Sequence, residues 1–313
     1  MTLFLSTLGK LAFLFSFILL GFVLTKLKAV PQNADGILSK LESNLFIPCL
    51  VMGNFIREFR AEALSASWKI VAVSCCLLVI TIPTGLLLSR FFAKDEHNRG
   101  VYAYGLCFAN FGFMGLAVVK AIFPEFLMSY TAFVIPQWVG IYGWAIPSLL
   151  IPTDQSDKSF KAAFKRIANP IFVCMAIGAV IGVTGLWRYI ENSVVMEVIT
   201  TSGNCMSPIA MLLTGISIAK IDILRVIKKP GIYVASVLRL VVIPLSIAAV
   251  LTLFKLDKSI VFCALCAFSM PLGLNSVVIP ARYGKDTSLA SGMAVVSHAM
   301  SIITLPIIFS IFS

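Results

Sequence analysis

Long apolar segments alternate with short polar connections along the whole chain. Each apolar segment has about 20 residues, the length that an α-helix needs to cross the hydrocarbon core of a bilayer. The pattern therefore predicts an all-α polytopic membrane protein with about ten transmembrane helices. The predicted spans are residues 3–25, 38–56, 68–91, 101–123, 129–151, 168–190, 195–219, 231–254, 259–281 and 289–312.

A polar stretch at residues 152–167 divides these spans into five and five. Because five is odd, the two halves must cross the membrane in opposite directions. We therefore predict two inverted five-helix repeats, residues 1–151 and 168–313, joined by this linker. Internal similarity supports the repeat, since Asn-Leu-Phe-Ile-Pro at residues 44–48 resembles Asn-Cys-Met-Ser-Pro at residues 204–208.

Two spans, one in each half, are interrupted by small and polar residues. The fourth reads Ala-Asn-Phe-Gly-Phe-Met-Gly at residues 109–115, and the ninth reads Met-Pro-Leu-Gly-Leu-Asn-Ser at residues 270–276. Interrupted spans at corresponding positions are typical of binding sites in secondary transporters, because unpaired backbone groups at membrane depth survive only inside protein or beside water. We expect the breaks to cross near the membrane centre. The residues expected to break the helices are Gly112, Gly115, Pro271 and Gly273.

Asn110 and Asn275 are the leading candidates for contacts with a substrate or a coupling ion. A half-helix N-terminus carries partial positive charge and attracts an anion such as a carboxylate. An amide side chain binds there without the cost of burying a charge, and the glycines of the breaks allow close approach to the backbone. Hydrogen bonding between helices is the alternative for both asparagines. Asn44 and Asn204 are candidates on the side that supports the site, with helix capping as their alternative.

Few ionisable side chains lie within the predicted spans. His298 could carry a proton or bind a carboxylate, or it could be a neutral histidine hydrogen-bonded to a neighbouring helix. Arg239 is expected to reach the cytoplasmic interface with its long side chain, and Lys10 lies in the first span. Because Asp and Glu are almost absent at mid-depth, protons are a better candidate for the coupling ion than sodium. Lys120 and Arg282 are expected to anchor span ends at the interface.

Composition excludes a soluble protein, because 59% of the residues are hydrophobic, only 12% are charged and the mean hydropathy is +0.98.

The net charge of +11 is explained by the membrane topology rather than by nucleic-acid binding. Alternate connections carry 16 and 7 Lys and Arg residues, and the richer side is expected in the cytoplasm. Both termini are then outside and the 152–167 loop is cytoplasmic. The first apolar segment is read as a retained span rather than a cleaved signal, since it continues into Lys26 and Lys28.

All eight cysteines fall in apolar spans, where buried cysteine behaves as a small apolar residue. Cys263 and Cys266 have the spacing of a redox motif but lack its soluble βαβ setting. We expect no cofactor and no metal site. A membrane-embedded enzyme would need paired catalytic groups such as His with Glu inside the membrane, and the spans carry none.

The chain resembles the auxin efflux carrier family of membrane transporters over its whole length. The resemblance rests on Ala109-Asn110 with Met114-Gly115, on Lys120-Ala121-Ile122-Phe123, on Met270-Pro271 with Gly273, on Ala281-Arg282-Tyr283-Gly284 and on Leu305-Pro306. It implies ten helices in two inverted repeats, with crossed broken helices 4 and 9 as in the bile acid/sodium symporters. It also implies an elevator-like movement of spans 3 to 5 and 8 to 10, and a homodimer formed through spans 2 and 7.

Two departures from the plant members bear on this resemblance. Ala117 occupies a position close to the crossover where plant carriers typically have proline, and the chain lacks their long cytoplasmic loop. The short loop resembles the bacterial branch of the family, which carries malate, malonate and other small carboxylates.

These features together predict a secondary active transporter, or permease, of the cell inner membrane. Its substrate is expected to be a small organic anion such as malate, malonate or an auxin-like acid, moved by alternating access at the helix 4/helix 9 crossover. The coupling ion is expected to be H⁺. The alternative is a transporter-like sensor that binds such a ligand without moving it.

Overall fold

The computed structural model describes residues 2–60, 67–151, 170–220, 226 and 228–312. The described residues are helical apart from short turns and the breaks, and none lies in a strand. The 152–167 linker lies outside the described residues. The helices, in the labels used below, are α1 (Thr2–Lys26), α2 (34–58), α3 (Trp68–Ser89), α4 (Glu96–Cys107), α5 (111–122), α6 (Pro124–Leu150), α7 (Pro170–Thr184), α8 (Trp187–Ile190), α9 (Val194–Lys220), α10 (Pro230–Leu253), α11 (Lys258–Ser269), α12 (Asn275–Arg282) and α13 (Ser288–Phe312).

Within the described part of the chain, five helices are long and apolar enough to cross a membrane. They are α3, α6, α9, α10 and residues Ser288–Ser310 of α13. Three shorter apolar segments accompany them, namely Phe15–Lys26, Pro170–Thr184 and Lys258–Ser269. Large apolar side chains on the outer surface, such as Val79 and Leu253, are 73% and 81% exposed. An apolar surface of this kind is suited to contact with lipid, and the chain is an integral membrane protein.

Proline accounts for three of the π-helical segments within these helices. One segment in α2 (Glu42–Phe46) precedes Pro48, one in α6 (Ile141–Leu150) contains Pro147, and one in α10 (Leu238–Val242) precedes Pro244. Proline has no N–H to donate to the carbonyl four residues earlier, so the helix widens locally to accommodate it. The helices continue through these points, in contrast to the breaks described below.

The core lies around the region where α4, α5, α6, α11 and α12 meet. Its largest fully buried side chains include Trp138, Tyr104, Tyr130, Tyr142 and Phe108. All eight cysteines are free, and Cys263 and Cys266 are buried there. Not every cysteine of the apolar spans is buried, since Cys75 and Cys76 are exposed on the outer face of α3. That face is apolar, so the apolar sequence around them does not distinguish a lipid-facing position from a core position.

Candidate functional site at two helix breaks

Both predicted interruptions are present as breaks in the helices. The first helix ends at Cys107, Phe108 is extended (φ −126°, ψ 129°), and the chain becomes helical again at Phe111. The second ends at Ser269, Met270 is extended (φ −66°, ψ 150°), and α12 begins at Asn275. Each break therefore ends one helix and begins another inside the core.

The two breaks lie directly against each other. Ala109 and Leu272 form an isolated antiparallel bridge, and the Asn110 N–H donates to the Pro271 carbonyl over 2.8 Å. The Leu272 N–H donates to Ser297 Oγ on α13 over 3.2 Å. These bonds pair backbone groups that the helices leave without partners. They also fix the start of α5 beside the start of α12.

Gly112 and Gly115 do not break the first helix, which corrects the sequence-based expectation. Both lie in the helical segment Phe111–Gly115, and the break precedes them. A Cβ on Gly112 would lie 2.8 Å from Trp138 Nε1, and a Cβ on Gly115 would lie 2.0 Å from the Tyr130 hydroxyl. These glycines are needed because aromatic side chains of α6 pack against the backbone of α5.

Pro271 and Gly273 lie within the second break, as predicted. A Cβ on Gly273 would lie 3.2 Å from the Ala109 carbonyl oxygen. The close approach of the two chains at the bridge therefore leaves little space for a larger residue at this position.

Asn110 is buried at the break and contacts His298 of α13. The Asn110 Nδ2 atom lies 3.4 Å from His298 Nε2, and His298 Nδ1 lies 2.7 Å from the Ala294 carbonyl. The carbonyl can only accept, so Nδ1 carries the proton, and Nε2 then accepts from the amide. The Phe15 ring of α1 packs edge-on against the imidazole, with 6.1 Å between ring centres.

Asn275, the first residue of α12, is also buried and contacts two tyrosines. Its Nδ2 donates to the Tyr104 hydroxyl over 3.3 Å, and the side chain also interacts with Tyr142 of α6. Among the described residues, the Oδ1 atoms of Asn275 and Asn110 are buried without a hydrogen-bond partner. Two unpaired acceptors at the junction of two helix starts are unusual, because buried polar atoms are ordinarily satisfied.

A small cavity lies between the two asparagines. Its volume is about 10 Å³, and it is lined by both asparagines, Tyr104, Trp138 and Tyr142 among others. This volume is about the minimum that one water molecule needs. The site is therefore closed, and a larger molecule could enter only after the surrounding helices separate.

Arg239 does not extend to the interface, which corrects a second expectation. It is 3% exposed, and its guanidinium donates to the Leu106 carbonyl over 3.2 Å and lies 5.5 Å from the centre of the Phe268 ring. Leu106 lies in the last turn of α4, where the break leaves carbonyls without helical partners. Arg239 is favourable there because a cation offsets the negative end of a helix.

Asn44 and Asn204 lie on helix surfaces, whereas the two breaks are buried in the core. Both are exposed, Asn44 in the π-helical segment of α2 and Asn204 in the middle of α9. Neither lies at a helix terminus, so the capping alternative is wrong. The helix that contains Asn44 begins earlier than the apolar pattern indicates, because the polar turn starting at Ala34 is helical as well, whereas the helix that contains Asn204 begins at Val194, close to the predicted start.

Three further cations were considered from the sequence. Arg282 lies in the last turn of α12 beside the Tyr283 ring, and the side chains of Lys10 and Lys120 lie outside the described part of the protein. The described residues contain no group of three His, Cys, Asp or Glu side chains that could hold a metal ion.

Sequence reasoning missed one buried acidic residue, Glu42 of α2. Its relative exposure is 0%, and neither carboxyl oxygen has a hydrogen-bond partner within the described residues. The signal in the sequence was weak, because Glu42 lies in the largely polar stretch Ser-Lys-Leu-Glu-Ser-Asn at residues 39–44, at the edge of an apolar run.

A second, larger concavity lies at the ends of α3, α4 and α6. Its volume is about 460 Å³, and Arg90, Arg99, Lys285, His97 and Glu96 are among the residues that line it. Ala103 belongs to this concavity and the adjacent Tyr104 to the cavity at the breaks. The two cavities therefore lie on different faces of α4.

Comparison with known proteins agrees with this architecture. A search of curated proteins gives no match. The family model described as membrane transport protein, which represents the auxin efflux carrier family, matches residues 6–309. That family consists of transporters and not of enzymes. Nearly the entire chain, both helix breaks included, falls within the match, and the protein belongs to the auxin efflux carrier family of membrane transport proteins.

Proposed function

We propose that this protein is a secondary active carrier for a small organic anion, with its binding site at the two breaks. The main observation behind this proposal is that α5 and α12 both begin at the hydrogen-bonded breaks, beside the buried side chains of Asn110 and Asn275. Two helix N-termini supply N–H donors and partial positive charge to one point. A carboxylate is the substrate group that suits these donors, as in malate, malonate or an auxin-like acid.

The asparagine side chains suit the remainder of such a substrate. Each unpaired Oδ1 can accept a hydrogen bond from a hydroxyl or N–H of the ligand, and rotation of the amide presents two donors instead. An amide pair therefore binds the carboxylate and a neighbouring polar group without an opposing charge. A neutral site of this kind also allows release, because it avoids a buried ion pair.

Alternating access is supported by the closed geometry of the site. A cavity of about 10 Å³ cannot hold a dicarboxylate, so transport requires movement of helices around the breaks. A continuously open channel does not fit this packing. A sensor that binds the same ligand without moving it is the second candidate, and transport assays separate the two.

The proposal includes two inverted five-helix repeats, residues 1–151 and 168–313, with crossed broken helices. Support comes from the antiparallel pairing of the breaks, which is the relation that an in-plane twofold axis would produce. We further propose the bacterial branch, the inner membrane, termini outside, a cytoplasmic 152–167 loop, H⁺ coupling and a homodimer. The charge bias between connections and the resemblance to the family support these points.

Uptake into proteoliposomes tests the proposal directly. Labelled malate, malonate and indole acetate are offered with and without an imposed pH gradient to wild-type protein, Asn110→Ala and Asn275→Ala. We expect saturable uptake by the wild type and its loss in both variants, with normal yield and thermal stability. Asn33→Ala is a matched control, because Asn33 is exposed and makes no side-chain cap bond.

Each result decides between the candidates. Wild-type uptake in both asparagine variants would refute the site. Saturable binding of a labelled acid without uptake would favour the sensor, and neither binding nor uptake of the three acids would reject these substrates.

A further inference from the structure

The buried carboxyl of Glu42 is not explained by packing alone. Its side chain is fully buried, and neither Oε1 nor Oε2 has a hydrogen-bond partner in the described residues. Burying an ionised carboxylate without a partner is very costly, so the side chain is stable at this position in its neutral, protonated form. Such a group is a candidate for binding and releasing a proton.

The position of Glu42 connects it to the site. It begins the π-helical segment Glu42–Phe46, about 12 Å from the start of α2 at the helical rise. This segment and α2 pack against α9 and against α12, whose first residue is Asn275. Single π-helical turns inside α-helices occur frequently at functional sites.

Tyr142 hydrogen-bonds with the Asn275 side chain and lies within electrostatic range of the Glu42 carboxyl. Asn275 also donates to Tyr104. Tyr142 and Asn275 both line the cavity at the breaks. The protonation state of Glu42 can therefore influence the polar groups that would hold the substrate.

Other ionisable groups on the helices packed against Glu42 are accounted for. Those on the described helices are Glu125, Tyr130 and Tyr142 on α6, Cys174 on α7, Glu197, Cys205 and Lys220 on α9, and Arg282 on α12. Glu197 is exposed, Lys220 Nζ lies 2.7 Å from Asp35 Oδ1, and Arg282 lies beside the Tyr283 ring. An ionised Glu42 would interact electrostatically with Tyr142.

We propose that Glu42 is the proton-binding group that couples this carrier to a pH gradient. The inference rests on the proposed transport function. In the closed protein Glu42 holds one proton as a neutral carboxylic acid. When α2 and α12 separate and water reaches the carboxyl, the O–H bond breaks and the proton passes to water on the open side. The loaded carrier crosses with Glu42 protonated, and the empty carrier returns with the carboxylate ionised and hydrated. Glu42 takes up its next proton on the first side, so each cycle moves one proton together with one substrate anion.

Two assays on the same proteoliposomes test this role. Accumulation driven by a pH gradient measures the coupling of substrate transport to proton transport. Exchange of labelled for unlabelled substrate at equal pH measures substrate movement across the membrane without that coupling. One pH unit drives about tenfold accumulation for each proton carried with the substrate. We expect Glu42→Gln, which is neutral and of similar shape, to abolish this accumulation and to keep exchange within about twofold of wild type.

Control variants separate coupling from general damage. Glu125→Gln changes an exposed glutamate and should keep both activities. Glu42→Asp keeps an ionisable carboxyl and should retain gradient dependence, although the shorter side chain lowers the rate. Persistent gradient-driven accumulation in Glu42→Gln, or wild-type accumulation that follows a sodium gradient instead of a pH gradient, would overturn the inference.

Failure of the proposed function would give a different result, because wild-type protein would then show neither accumulation nor exchange.

A measurement on the wild type keeps the inference testable if both Glu42 variants misfold. The infrared C=O band of a protonated carboxyl should persist at pH 7, where exposed Asp and Glu are ionised. Absence of that band would contradict a protonated Glu42.

Discussion

Asn110 Nδ2 lies 3.4 Å from His298 Nε2, and this contact joins the first helix break to α13. Because His298 Nδ1 donates to the Ala294 carbonyl over 2.7 Å, Nε2 is left as the acceptor for Asn110. A proton on Nε2 would place a donor against a donor unless the amide rotates. His298 therefore orients Asn110 as a neutral side chain, and for this reason we propose Glu42 rather than His298 as the proton-binding group.

The first prediction is that His298→Ala slows uptake without removing its dependence on the pH gradient. The variant removes one hydrogen bond to Asn110, worth about 1 kcal/mol, which corresponds to a rate loss of roughly fivefold. Initial rates at several imposed gradients measure both quantities. His97→Ala is the matched control, since His97 lies in the separate basic concavity. Loss of gradient dependence in His298→Ala would assign the proton to His298 instead.

The second prediction concerns the packing of α6 against α5. An alanine at Gly115 would place Cβ 2.0 Å from the Tyr130 hydroxyl, which donates to the Phe111 carbonyl over 3.0 Å. Overpacking of this kind costs about 1–3 kcal/mol. We expect Gly115→Ala to lower the thermal unfolding midpoint of the purified protein.

The matched control for this change is Gly36→Ala in α2. A Cβ on Gly36 meets nothing within 4 Å, so the gain in helix propensity should leave stability equal or slightly higher. Adding Tyr130→Phe to Gly115→Ala should recover part of the loss, because the clashing oxygen is removed. A Gly115→Ala protein as stable as wild type would show that α6 can move away without cost.

Sequence alone was sufficient to predict the breaks and the burial of Asn110 and Asn275. Polar side chains within an apolar span are costly in lipid and therefore usually face the protein interior. Sequence did not assign the glycines correctly, since a glycine that starts a break and a glycine that admits an aromatic ring look alike in sequence. The same limit applies to Arg239. Its distance along the helix does not reveal that the neighbouring α4 ends there and presents a free carbonyl.

Glu42 illustrates a different limit. It lies near the edge of an apolar run, where an acidic residue ordinarily faces water, and only the packing of α9 and α12 around α2 buries it. Asn44 is the converse case, two residues further along the same helix. It lies at the more apolar position in sequence but on the exposed face. The direction of a side chain around a helix therefore decides between core and surface.

The third prediction concerns Ser297, whose Oγ accepts from the Leu272 N–H over 3.2 Å. Ser297→Ala leaves this N–H buried without a partner, at a cost of about 1–3 kcal/mol. We expect a lower thermal midpoint and slower uptake, because the second break loses its attachment to α13. Ser310→Ala on the same helix is the control, since Ser310 is exposed and bonds only to its own helix at Pro306. Equal effects of the two changes would exclude a specific role for Ser297.

The fourth prediction is a pH dependence at the start of α4, outside the spans. Asp95 Oδ1 accepts from the Asn98 N–H over 2.9 Å and Oδ2 from Asn98 Nδ2 over 3.0 Å. The hydrogen bond from the Asn98 backbone N–H favours the ionised carboxylate, and it is the main reason why the pKa of Asp95 lies below its ordinary value. A lowered pKa in the folded state stabilises the fold at neutral pH, and this contribution is lost as the pH falls below about 4.

Asp95→Ala should therefore lower stability at pH 7 by about 1 kcal/mol, the usual value of an N-cap side chain, and by less as the pH approaches 3. Asp95→Asn separates capping from charge, because its amide oxygen caps the helix at every pH. Thermal midpoints of the three proteins between pH 3 and pH 7 measure both effects. If the gap between wild type and Asp95→Ala stays constant over this range, the ionised carboxylate is not what caps α4, and the hydrogen bonds to Asn98 contribute without their charge.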